Sequence, residues 1–140
     1  MKHSISTIAL ATLAAIASLT AAHAQTLASR VNVPFAFDCG SAHFAAGSYT
    51  ISMQGSDVVA VSNDAQRSTR LAVIESKTNS GSPNAPATVT FKRYGDSYFL
   101  AEYSTSGETI TLLKSKTERS LAHEYALNPT EPSVVQLAAK

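Results

Sequence analysis

One stretch, Thr88–Ser104, constrains the fold more than any other. It reads T-V-T-F-K-R-Y-G-D-S-Y-F-L-A-E-Y-S and predicts a β-hairpin closed by the two-residue turn Gly95-Asp96. Glycine at the first central position suits a type II′ turn, whose twist matches that of the flanking strands. It takes positive φ there without a Cβ clash. A two-residue loop sets the register. Tyr94 is expected opposite Ser97, Arg93 opposite Tyr98, Phe91 opposite Leu100, and Val89 opposite Glu102. Side chains alternate across a strand. One face then carries Val89, Phe91, Tyr98 and Leu100, with Arg93 and Glu102 towards its ends, and is the expected core side. The other carries Thr88, Thr90, Lys92, Phe99 and Tyr103, and its rings are expected to lie under another element or under the Lys92 stem. Aromatic and β-branched residues fill both arms, as strands prefer.

Other segments repeat the alternation. Arg30–Phe37 alternates Val31, Val33, Phe35 and Phe37 with Asn32, Pro34 and Ala36. Pro34 has no N–H for a ladder, so this strand is an edge or breaks there. Asp38–Ser41 predicts a turn, and Ala42–Ala45 a short strand. Ser48–Gln54 has the cleanest period of two, with Tyr49, Ile51 and Met53 on one side. Turns are expected at Gly55-Ser56, Asn63–Gln66 and Ser106-Gly107. Strands are expected at Asp57–Ser62, Arg70–Ser76 and Glu108–Leu113. Thr78–Pro86 has no apolar pattern and predicts a surface loop. At Ser115-Lys116-Thr117-Glu118 the period changes. These residues fit a capping box, in which the Ser115 hydroxyl and the Glu118 carboxylate each serve a backbone N–H. A helix is expected from about Lys116 to Leu127, with Leu121 and Tyr125 on one face and a stop at Asn128-Pro129. Ser133–Ala138 predicts a last strand or a docked tail. The fold class is therefore mainly β: a single antiparallel meander of about seven or eight strands, closing as a small barrel or folding as a sandwich, with one short C-terminal helix.

The N-terminus predicts an address. A basic start at Lys2, an apolar run to Leu19 and the small-x-small site Ala22-His23-Ala24 make a signal peptide over residues 1–24. The run is Ala/Ser/Thr-rich and falls short of the roughly 20 apolar residues of a spanning helix. Cleavage leaves one β-rich domain at 25–140, secreted or periplasmic, with no integral membrane segment. Ten basic then face ten acidic side chains. That balance argues against nucleic acid or an anionic membrane surface as a partner. Cys39 is the one cysteine, so it is either buried and inert or pairs between chains.

Four stretches carry a resemblance. V-P-F-A-F at Val33–Phe37, A-A-G-S-Y-T-I at Ala45–Ile51, F-K-R-Y-G-D-S-Y-F-L at Phe91–Leu100 and S-K-T-E-R-S-L at Ser115–Leu121 resemble a family of small secreted bacterial proteins with no established function. The resemblance implies a β-rich fold and export, and no catalytic residue.

Chemistry-bearing constellations are few. Asp38, Cys39 and His43 are metal-ligand types, but a structural zinc site needs four ligands and no second pair has matching spacing. His123-Glu124 lacks the second histidine of H-E-x-x-H, because Leu127 stands in its place. No serine sits in G-x-S-x-G. No metal or cofactor is expected. Arg93, Tyr94, Asp96 and Tyr98 flank the hairpin turn and form a candidate surface for a glycan or a partner loop; the alternative is cross-strand pairing, with Arg93 over Tyr98. The composition points to an exported, non-enzymatic domain that binds or assembles with an envelope or extracellular partner. The alternatives are a barrel-type carrier of a small apolar ligand, with Tyr49, Ile51 and Met53 lining a cavity, and a small hydrolase using His43 or His123.

Overall fold

The computed structural model describes residues 28–79, 82–128 and 130–140. The expected signal peptide and Pro129 lie outside the described residues. Ten strands and one helix follow in order: β1 Ala28–Val33, β2 Phe37–Cys39, β3 Ala42–Phe44, β4 Gly47–Gln54, β5 Val58–Asn63, β6 Ser68–Asn79, β7 Thr88–Tyr94, β8 Ser97–Thr105, β9 Glu108–Leu112, α1 Lys116–Leu127 and β10 Ser133–Ala138. The expectation of a mainly β chain with one C-terminal helix holds, but the count of seven or eight strands is corrected to ten. Two causes are local. The single strand expected over Arg30–Phe37 breaks at Pro34 into β1 and β2. Cys39, placed in a turn by sequence, still pairs with Ala42 in the short β2–β3 hairpin.

The ladder runs β1-β4-β5-β6-β9-β8, with β7 and then β10 added beyond β8. Neighbours along this path are antiparallel. β2 makes a parallel contact with β8 at Asp38 and Phe99. The ladders do not close into a ring. The first and last strands nevertheless meet: Arg30 N–H donates to the Lys140 carbonyl at 2.7 Å, and Lys140 N–H donates to the Arg30 carbonyl at 2.9 Å.

One face of this curled sheet is the core. Val31 and Val33 of β1, Tyr49 and Ile51 of β4, Val59 and Val61 of β5, Ile110 of β9 and Val89 and Phe91 of β7 are all buried within it. Phe37 reaches in from β2, its ring 5.2 Å from both Tyr49 and Phe91. Ser29 and Tyr103 join β1 to β8 through a buried hydroxyl pair at 2.8 Å. Such a bond across the interior satisfies two polar groups that would otherwise be costly to bury.

The central hairpin forms with the expected register near its turn. Tyr94 pairs Ser97, Arg93 pairs Tyr98, and Phe91 pairs Leu100. Gly95 has φ +61° and Asp96 is not in the positive-φ region, as a II′ turn requires. Further on, the register shifts between Thr90 and Phe91, so Val89 pairs Tyr103 rather than Glu102. Ala101 is the extra residue of a β-bulge. The bulge turns Tyr103 into the core, where it is fully buried, and moves Glu102 opposite Thr90. The expected placement of Tyr103 on the outer face is thereby corrected.

Elsewhere on the sheet, Ala72 of β6 faces inward while Leu71 and Val73 point to solvent. β6 also runs on to Asn79, into the segment expected as loop.

Candidate functional site

Helix α1 lies against the outer face of β7. Its N-cap follows the sequence: Ser115 is extended, and its hydroxyl accepts from the Glu118 N–H at 3.0 Å. Tyr125 anchors the other end, 5.3 Å from Tyr94 in an edge-to-face pair. Tyr94 makes a second such pair with Phe99 at 5.8 Å. The mixed outer face of the hairpin therefore does lie under another element. Between α1, the outer rows of β7 and β10, residue 128 and residues 130–132 opens a groove of about 690 Å³. Lys92, Tyr94, Lys114, Tyr125 and Glu131 line it, with Ala122, Ala126 and Val134 as apolar wall.

Leu121 and Tyr125 were expected on one face of α1. Both are half-buried, and the one fully buried residue of the helix is Glu118. Glu118 Oε1 has no hydrogen-bond partner. Burial pushes its carboxyl above the ordinary range; Lys114 and Lys92 pull it down, Glu75 pushes it up, and the Ser115 backbone N–H pulls it down again. That last contact is the return arm of the capping box. The signal for burial was present in the spacing: Glu118, Ala122 and Tyr125 stand at i, i+4 and i+7 on one helical face. Capping logic alone hid it, since a capping glutamate is ordinarily a surface group.

This carboxyl gives a signed expectation. A carboxyl raised in the folded state holds its proton more tightly there than in the unfolded chain. Its stabilising contribution is complete below the ordinary value of 4.5 and is lost as pH rises through the raised folded value. Glu118→Gln should flatten this part of the pH–stability curve and raise stability at pH 8 relative to wild type, on the scale of a buried unsatisfied group, about 1–3 kcal/mol. Thermal unfolding at pH 4 and pH 8 measures it. Parallel curves for the two proteins would contradict it.

Beneath the helix, Cys39 is buried, and burial followed by the Glu118 charge pushes its thiol up to about 12. At pH 8 its thiolate fraction is on the order of one in ten thousand, and the thiolate is the reactive form. A thiol reagent at pH 8 should therefore label the native chain only as fast as it opens, and label it fully in denaturant. Rapid stoichiometric labelling of the native protein would refute the inert reading.

The four residues proposed around the turn separate. Tyr94 is buried beneath α1 and belongs to the groove. Arg93, Asp96 and Tyr98 stay at the tip. Arg93 Nε donates to the Gly95 carbonyl at 2.6 Å, its guanidinium lies 3.6 Å from Asp96, and it sits over the Tyr98 ring at 5.3 Å. Phe35 stacks on Tyr98 at 4.0 Å. The ring of Tyr98 is thus already used by Phe35 and Arg93, the cross-strand pairing weighed against a binding tip.

His43 and Asp38 face each other across β2 and β3, with Nδ1 and Oδ1 2.6 Å apart. Cys39 points instead to the core, since neighbours on a strand face opposite ways. Among the described residues no cluster of three or more His, Cys, Asp or Glu is placed to hold a metal, and no helix is long and apolar enough to cross a membrane. Comparison of the chain with family models, with curated proteins and with solved structures finds no match.

Proposed function

We propose that the chain is the precursor of an exported β-domain, cleaved after Ala24, that binds or assembles with a partner in the cell envelope or outside the cell and does not catalyse a reaction. The open groove beside α1 is the observation that carries this reading. It is a concave surface walled by tyrosines and lysines, and its volume falls within the roughly 300–1,000 Å³ of small-molecule and side-chain sites. The resemblance to small secreted bacterial proteins and the N-terminal pattern support export.

We read the sheet as a barrel whose seam is the Arg30–Lys140 pair. The buried Ser29–Tyr103 bond, which joins strands five places apart in the ladder order, supports closure over a sandwich. The interior favours a binding surface over a carrier cavity. Tyr49 and Ile51, the inward row a carrier would use, are buried against Phe37, Phe44 and their neighbours. A hydrolase would need a nucleophile at His43, whose described partner is the Asp38 carboxylate.

Two measurements test the reading. Mass spectrometry of the envelope and medium fractions should find a mature chain beginning at Gln25. Tagged mature protein should retain a specific partner from the native envelope fraction. A cytoplasmic protein still carrying Met1 would overturn the export reading, and an empty pull-down the binding reading.

A further inference from the structure

We propose that α1 is a pH-released cover, which ionisation of Glu118 unseats from β7 while the sheet beneath stays folded. The helix is lightly held. Eight of its twelve residues are exposed, and Leu121, Ala122 and Tyr125 are only half-buried. It meets the sheet chiefly through β7, where Tyr125 rests edge-on against Tyr94. The one helical side chain driven fully into this seam is Glu118, 4% exposed. The seating of the helix therefore depends on the state of one carboxyl. Release takes down a wall of the groove, which α1 forms with Ala122, Tyr125 and Ala126. The helix itself reports the switch, with or without a ligand in the groove.

The geometry of the seam decides which state fits. Glu118 Oε1 has no hydrogen-bond partner, and among the described residues no ion pair reaches the side chain. A neutral carboxyl leaves one acceptor unpartnered there, whereas an anion is buried with no counter-charge in contact, at far greater cost. The groups that face it come from four places. Lys92 and Tyr94 belong to β7, Lys114 to the approach to the helix, Glu75 to β6 and Cys39 to β2. Burial pushes the Cys39 thiol and the Tyr94 phenol upwards, so both stay uncharged near neutral pH. The two lysines favour the anion and Glu75 opposes it, but burial outweighs the lysines and the carboxyl titrates above its ordinary value. Released into water, it returns towards 4.5. One proton then separates the two states. Unseating is rarest below pH 4.5, becomes up to about ten-fold more frequent per pH unit above it, and levels off once pH passes the raised value.

Amide hydrogen exchange followed by NMR between pH 4 and pH 8 tests this, each rate being divided by its intrinsic value at that pH. Local opening of α1 and global unfolding then separate, because exchange reports each element's own opening. The α1 amides should lose protection with rising pH, by about five-fold or more across the range, while β4 and β5 amides keep theirs. Glu118→Gln is neutral at every pH and should hold α1 equally protected throughout. Lys114→Met removes a cation that favours the anion, so it should carry the loss of α1 protection to higher pH; it serves as the second variant where Glu118→Gln disturbs the seat. Protection of α1 that does not change with pH in the unmodified protein overturns the proposal. So does a loss that runs in step with the sheet, or one that persists in Glu118→Gln.

Discussion

Phe91→Ala should lower the unfolding free energy by about 3–5 kcal/mol, the cost of emptying a large aromatic site in a packed core. Phe91 is completely buried on β7. Phe35 and Phe37 each meet its ring edge-to-face at 5.2 Å. Phe37 belongs to β2, and Phe35 lies in the segment that joins it to β1. The ring therefore ties the central hairpin to β2 and to the connection before it, and its loss leaves a void between them. Such a void collapses poorly, which places the cost at the upper end of the range. Leu71→Ala on β6 is the control. Leu71 is also a large apolar residue in a strand, but it is 66% exposed, and its truncation should fall within about 0.5 kcal/mol of wild type. Guanidinium titrations of both proteins decide the matter. A Phe91→Ala cost no greater than that of Leu71→Ala would show that the core is not organised around the hairpin.

A second large effect is expected at the turn. Gly95→Ala should cost about 1–2 kcal/mol, the penalty of holding a side-chain-bearing residue in the left-handed region, and Gly95→Val more. Gly95 sits at φ +61°, and a Cβ there would stand 3.4 Å from the Tyr125 hydroxyl. The substitution therefore strains the turn and sets a methyl in contact with the residue that anchors α1. Damage should reach the helix, visible as shifted Tyr125 and Ala122 resonances. Gly47→Ala on β4 is the comparison. Gly47 has no positive φ, and its Cβ would make an ordinary 3.8 Å contact with the Tyr49 ring. It should be neutral or slightly stabilising. Equal, small effects of Gly95→Ala and Gly47→Ala would mean that the turn tolerates other geometries and does not set the register.

Much of the fold was legible because local chemistry and tertiary packing agree. The bounds of α1 follow from Ser115, the change of period and Asn128. The strands β4 and β7 follow from alternation, and β10 resolves the choice between a last strand and a docked tail. Three features were hidden, each for a physical reason. The bulge at Ala101 falls inside an unbroken apolar run, Tyr98–Ala101, where a period of two has no polar residue to reveal a slip. The parallel contact of β2 with β8 joins residues 61 positions apart, Asp38 and Phe99, and three-residue strands leave no pattern to match. The burial of Glu118 depends on what the helix covers, which no local rule supplies. The candidate site was half legible. Tyr94 was singled out beside the turn, but its groove partners Lys92, Lys114 and Tyr125 come together only once α1 folds back over the hairpin.

The pairing of β10 with β7 sets an order of events in folding. β7 ends at Tyr94, and its second neighbour does not begin until Ser133. On a chain made from its N-terminus, β7 therefore keeps one edge bare while nearly forty further residues are added. β1 waits longer still, because Lys140 completes the contact with Arg30. Contacts between such distant residues form slowly, since loop closure precedes any reward from them. A chain of this design has no finished form until its last residues are available, and its structure is completed in one late step.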